Sequence, residues 1–244
     1  MNHQFPHLDR TIARGLTVAA LSASILVTAT SGAVAQDDDH GATPESMWSC
    51  AAASTPVAAG QDDMAMDGEM EMAEVEFDQL YIDMMLPHHG SIIALSQAAL
   101  PELTDPRLIE MAGNIIEAQT AENAQLTEWR TAWYGGGEPN MSEMSMEMML
   151  EAMPVGTMEE MMREMDAAYQ VATFCAAENP DLAFIDQVIP HHQMAIDASE
   201  VAVEEAVNPD LATLAEEVIA AQQAEIDLLT EIRAELEGAA TPAS

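Results

Sequence analysis

Between residues 108 and 129 the chain repeats apolar side chains at alternating spacings of three and four: Leu108, Ala112, Ile115, Gln119, Glu122, Leu126 and Trp129. That period places all seven on one face of a helix, and two of them are polar. The same stripe recurs 103 positions later as Leu211, Ala215, Val218, Gln222, Glu225, Leu229 and Ile232, with the polar interruption at the same height. Each stripe follows another apolar segment carrying a shared phrase, Ile82-Asp83-Met84-Met85-Leu86-Pro87-His88-His89 in one copy and Ile185-Asp186-Gln187-Val188-Ile189-Pro190-His191-His192 in the other. Internal repetition of this kind means two copies of one supersecondary unit, neither of which can bury its apolar face alone.

The pattern predicts a helix from about Val75 to Leu100 and a second starting at Asp105, with Pro106 in its first turn where a missing donor costs nothing. Gly135-Gly136-Gly137 breaks the pattern, a methionine-rich stretch follows, and Thr157 with Glu160 forms a capping box for a helix through about Ala177. The second copy supplies a helix from about Pro180 to Val207, a start signal at Asn208-Pro209 and a stop at Gly238. No segment calls for a β-strand. Two helical hairpins that bury their stripes against each other make an all-α, four-helix bundle, with the Met158–Cys175 helix packed on as an addition. The expected organisation is a signal segment 1–35, an acidic lead 36–73, and a bundle 74–237 followed by a tail 238–244. Within the bundle, repeat one covers 74–134, the methionine-rich linker and helix 135–179, and repeat two 180–237.

Glutamine and carboxylate within a packed stripe cost several kcal/mol unless something satisfies them. Counting 14 residues back from the hairpin turn near Leu103 reaches His89, and 14 forward reaches Glu117, within a turn of Gln119 and Glu122 at about 1.5 Å of rise per residue. The same count around Ala206 brings His192 to Gln222. The bundle centre is therefore expected to hold four imidazoles, two carboxylates and two amides. Neutral imidazole is the commonest metal ligand, and burial keeps it neutral. A metal site formed by His88, His89, His191, His192, Glu122 and Glu225 is the expectation, and a purely structural His and Glu network the alternative. Asp83 and Asp186 read either as orienters of those rings or as surface acids. Pro87 and Pro190 interrupt the helical hydrogen bonding, opening room at the histidines or making only a tolerated kink.

Composition adds a direction. The chain has 43 acids against six arginines and no lysine, a formal charge of −37. Such a field repels phosphates, arguing against nucleic acid and anionic membranes, and accumulates cations. Arg10 and Arg14, an apolar run from Leu16 to Ala29 and Ala33-Val34-Ala35 read as a secretory signal cleaved after Ala35, placing the mature chain in the periplasm or outside the cell with no membrane insertion. Cys50 and Cys175 are either a disulfide or two thiolate ligands. Of 20 methionines, Met64, Met66, Met70 and Met72 lie in the acidic lead, where packing gives no reason for them but a soft monovalent ion does. For Met161, Met162 and Met165, core filling is the ordinary account. Met84 and Met85 stand one turn before His88 and His89, and Met194 three residues after His191, so mixed sulfur and imidazole sites are sterically feasible.

The phrase Phe77-Asp78-Gln79-Leu80-Tyr81-Ile82-Asp83-Met84-Met85-Leu86-Pro87-His88-His89 and its echo, each followed by a Gln-x-x-Glu helix, closely resemble the bacterial domain of unknown function 305 family over about residues 74–134 and 180–237. The resemblance implies an exported ferritin-like helical bundle, some of whose members bind copper or silver ions through His and Met. It carries over to His88, His89, His191, His192, Met84, Met85 and Met194. Gln187 and Val188 replace Met84 and Met85 in the second copy. A di-iron oxidoreductase is the rival on this fold, but its Glu-x-x-His pairs are absent, since Met85, Leu86, Val188 and Ile189 stand three before the histidines. The expected function is sequestration or delivery of copper or silver without catalysis, with an unidentified metal-exchange protein as the conceivable partner.

Overall fold

The stripes become long helices whose starts are set by local capping chemistry. The computed structural model describes residues 48–53 and 75–239; the expected signal segment and most of the acidic lead, with Met64, Met66, Met70 and Met72, lie outside the described residues. Among the described residues there are eight helices and no strand: α1 (Cys50–Ala53), α2 (Phe77–Ala99), α3 (Pro106–Tyr134), α4 (Glu143–Ala152), α5 (Met158–Met165), α6 (Ala167–Cys175), α7 (Pro180–Glu205) and α8 (Pro209–Ala239). Asp105 and Asn179 cap α3 and α7 by accepting from Arg107 N and Leu182 N, each with a proline at the helix start. Thr157 and Glu160 form the capping box that begins α5. α2 and α7 continue through Pro87 and Pro190.

Three differences from the sequence reading have local causes. The single helix expected from Met158 to about Ala177 is two, because Asp166 adopts extended backbone and its side chain caps α6 by accepting from Tyr169 N. Met162 of that segment is 52% exposed rather than buried, while Met161 is in the core. The short helix α1 lies within the expected acidic lead, and Cys50 is joined to Cys175 by a disulfide, so the thiolate alternative falls.

α2, α3, α7 and α8 form the four-helix bundle, and the two hairpins are locked by reciprocal bonds. Asp78 of the first copy accepts from Val207 N at 2.9 Å and Asn208 N at 2.8 Å in the turn of the second. Asp181, its counterpart, accepts from Thr104 N at 2.8 Å and Thr104 Oγ1 at 2.5 Å in the turn of the first. Each copy thus satisfies donors in the turn that leads into the other's second helix.

Apart from a small cluster of Ala94, Ala98 and Val171 between α2 and α6, most of the core falls into two large apolar clusters. One gathers Tyr81, Met84, Met85, Leu126, Ala195, Ala198, Leu211, Ala215 and Val218, and α4 and α5 cover it with Met149, Met153 and Met161. The other gathers Ile92, Leu95, Leu108, Ala112, Ile115, Phe184, Ile185, Val188, Leu229 and Ile232. Along every bundle helix the histidines of the phrase, or the glutamine and glutamate of the stripe, fall between the part in one cluster and the part in the other. Antiparallel packing therefore gathers them into one layer.

A buried histidine layer between two apolar clusters

His88, His89, His191 and His192 are each fully buried. The rings of His88 and His191 stack with centroids 3.6 Å apart, and each lies about 6 Å from the ring beside it in sequence, 6.2 Å for His89 and 6.1 Å for His192. Gln119 and Gln222 are buried, at 3% exposure each, and Glu122 and Glu225 are half-buried. His192 Nε2 lies 2.7 Å from Glu225 Oε2, whereas His89 Nε2 is 3.6 Å from Glu122 Oε2, beyond hydrogen-bond reach. The residue reached by the 14-residue count, Glu117, is exposed; the helix side chain that meets His89 is Glu122, more than a turn further on.

Burial governs the electrostatics. It pushes the His88 and His191 imidazoles well below the ordinary histidine range, helped by neighbouring imidazoles, and lowers His89 to about 3. All three rings are neutral at physiological pH. Glu122 is raised to about 7 by burial and by the charges of Glu225 and Glu217. The layer is short of partners: both nitrogens of His88 and His89, Nδ1 of His191 and of His192, and the Oε1 atoms of Gln119 and Gln222 are buried without a hydrogen bond. Buried polar atoms are ordinarily satisfied, by protein groups or by ordered water, so a group of this size in one place stands out.

The arrangement is not a closed cage. Among the described residues no three His, Cys, Asp or Glu side chains converge on one point. The lone pairs of an imidazole lie in its ring plane, so the stacked His88 and His191 cannot both aim at an ion sandwiched between them. Met84 and Met85 are fully buried and Met194 nearly so, all three in the cluster on the α4 and α5 side of the layer. The cluster on the other side contains one methionine, Met111. Met84, Met85 and Met194 therefore lie in the same cluster.

Asp83 and Asp186 turn away from the layer to pair with arginines. Asp83 binds Arg130 in the interior, Nε to Oδ1 at 2.5 Å, and Arg130 Nη1 donates to the carbonyls of Gly136 and Gly137. These glycines have φ of 80° and 91°, a left-handed backbone that presents both carbonyls to one guanidinium. Asp186 pairs with Arg233 at 2.8 Å on the surface. The sequence reading missed Ser91, whose Oγ touches His191 Nε2 at 3.0 Å. Its counterpart 103 positions on is Met194, so the repeat gave no signal for it.

Fold and site together define a class: an all-α, four-helix bundle built from two related hairpins around a central layer of histidines. The chain belongs to the family described as Domain of unknown function (DUF305), whose model matches residues 78–233. Among solved structures it is similar to CopM in its Cu(I)-bound form, at 26% identity over 65% of this chain and 96% of CopM with a TM-score of 0.51. CopM in the silver-bound form obtained by soaking gives the same identity, coverage and TM-score. A DUF305 protein from Streptomyces coelicolor, described as a candidate secreted protein, matches at 20% identity over 66% of this chain and 93% of its own with a TM-score of 0.50, a likeness of fold alone. No curated protein sequence matches the chain significantly. No helix among the described residues is long and apolar enough to cross a membrane.

Proposed function

We propose that this protein binds monovalent copper or silver as cargo, sequestering or handing on the ion outside the cytoplasm. The observation that carries the reading is the set of six buried imidazole nitrogens without a hydrogen bond, five of them on rings that burial keeps neutral. A neutral imidazole offers a lone pair without needing to lose a proton, and a soft ion of single charge is the least costly to bring into such an interior. The thioethers of Met84, Met85 and Met194 lie in one of the two clusters that flank the layer, adding the ligand type such ions prefer. Binding in the layer takes rotation of at least one stacked ring, so that two or three donors meet at the ion. CopM, a structural relative, was solved with Cu(I) and with silver bound. The acidic field of the chain draws cations towards it, and cleavage of residues 1–35 would release a mature chain lacking Arg10 and Arg14, leaving four arginines.

Anaerobic titration of the purified chain with Cu(I) or Ag(I) tests this. At least one tightly held equivalent is expected, and replacing His88, His89, His191 and His192 by alanine should lower the count. Two outcomes overturn the reading: no uptake of either ion, with the histidine variants merely less stable, identifies a structural network; preferential retention of iron with oxygen consumption identifies an oxidoreductase.

A further inference from the structure

Hydrogen bonds decide which ring nitrogen of His191 and His192 carries the proton. His191 Nε2 lies 3.0 Å from the carbonyl oxygen of His88 and 3.0 Å from Ser91 Oγ. A carbonyl can only accept, so His191 Nε2 is the donor. Ser91 Oγ also faces two carbonyl oxygens, of His88 at 2.7 Å and of Glu164 at 2.5 Å. Its single proton goes to one of them, which leaves an oxygen lone pair to accept from His191. A neutral imidazole has one N–H, so His191 Nδ1 is bare, and it is buried with no hydrogen-bond partner. At His192, Nε2 donates to the Glu225 carboxylate at 2.7 Å, and Nδ1 is buried with no hydrogen-bond partner.

We propose that His191 and His192 take the ion through Nδ1, and that Ser91, the His88 carbonyl and Glu225 are the outer partners that hold each ring in the Nε2–H form. This rests on the ion-binding reading above. Ser91 and Glu225 are positioning residues. By accepting the Nε2 proton they fix the ring's orientation, and the Glu225 carboxylate makes the opposite nitrogen a stronger donor. Adjacent residues on a helix point about 100° apart, so the two Nδ1 atoms face different neighbours: His191 stacks on His88, and His192 leans on α8. Each is then paired with a donor from outside its own helix, such as an imidazole or thioether, rather than with the other.

Long-range nitrogen-15 spectra of the histidine side chains in the full chain, taken without metal and then with Ag(I), read this directly. Without metal, both rings are expected as Nε2–H with bare Nδ1; silver should shift Nδ1 and leave Nε2 protonated. Ser91→Ala removes one of the two acceptors of the His191 Nε2 proton, so it should shift the His191 Nε2 signal while the His88 carbonyl keeps the Nε2–H form, and should weaken silver binding about tenfold. Ser91→Thr should restore both, and Glu225→Gln, which puts an amide able to donate as well as accept beside His192, should mix the tautomers of that ring and weaken silver binding likewise. An Nδ1–H form of either ring before metal, or silver shifting Nε2, overturns the proposal while leaving ion binding standing. The stated tautomers with no silver uptake would end the ion-binding reading and the ligand assignment with it. Should Ser91→Ala fail to fold, the wild-type spectra still decide.

Discussion

The two hairpins share one plan and hold their histidines differently. In the second copy both rings are pinned at Nε2, His191 by Ser91 and a carbonyl, His192 by Glu225 at 2.7 Å. In the first copy neither His88 nor His89 has a hydrogen bond at either nitrogen. The cause is legible residue by residue: the counterpart of Ser91 is Met194, a thioether where a hydroxyl would be needed, and Glu122 stands 3.6 Å from His89. The shared pattern gives the backbone register, and differences at a few positions leave one pair hydrogen-bonded and the other not.

The same kind of difference separates the two arginine pairs, which gives the largest expected effect. Arg130 and Asp83 are 6% and 2% exposed at their side chains, Arg233 and Asp186 43% and 49%. Arg130→Met leaves a buried carboxylate without its cation and also frees the Gly136 and Gly137 carbonyls, so it should cost about 3–5 kcal/mol in chemical denaturation. Arg233→Met should cost no more than about 1 kcal/mol, since exposed pairs contribute little. Equal losses would mean that the copies do not differ in this respect.

That contrast also shows where sequence reading stops. Periodicity placed the bundle helices, the polar interruption and the burial of all four histidines, because a stripe of seven positions at helical spacing has only one way to be buried. It gave Asp83 and Asp186 the same reading, because matched residues in a repeat look alike until the surroundings are known. What buries Arg130 is the turn through Gly136 and Gly137, which the second copy lacks after Arg233. The break at Asp166 was hidden for a related reason: aspartate is tolerated within a helical pattern, and only its observed cap to Tyr169 shows that one helix ends and another starts. Ser91 carried no signal, since two of its three partners, the Glu164 carbonyl and His191, come from α5 and α7, far away in sequence.

Acidification should discriminate within the first copy. The His89 ring stays neutral down to about 3 in the folded chain, whereas the unfolded chain takes the proton near the ordinary 6.5. Between those values the unfolded state binds more protons, so stability is full above 6.5 and is lost as pH falls towards 3, by about 2 kcal/mol at pH 5 for a single ring. His88 and His191 act in the same direction. Glu122 opposes them: raised from 4.5 to about 7, it holds a proton in the folded chain that the unfolded chain has released, a contribution present below 4.5 and lost as pH rises through 7. Metal-free protein should therefore melt at a lower temperature at pH 5 than at pH 6.5, and Glu122→Gln should steepen that loss. A shallower loss in the variant would show that Glu122 is not protonated in the folded state.

The smallest effect comes from a hydroxyl that one copy has and the other lacks. Tyr81 Oη is 2.8 Å from Ser199 Oγ, a buried bond between the copies. Their counterparts are Phe184 and Ser96, and Ser96 Oγ is buried without a partner. Reciprocal packing of the hairpins, seen directly in the Asp78 and Asp181 bonds, aims residue 184 at residue 96 as it aims 81 at 199. Phe184→Tyr supplies the missing hydroxyl and should stabilise the protein by about 1 kcal/mol, while Tyr81→Phe, which orphans Ser199, should cost about 1–3 kcal/mol. In the pair Phe184→Tyr with Ser96→Ala the gain should vanish, because the new hydroxyl then has no acceptor. If Phe184→Tyr destabilises the protein with Ser96 present, the second copy has packed too tightly to accept the atom, and the symmetry of the hairpins ends short of that position.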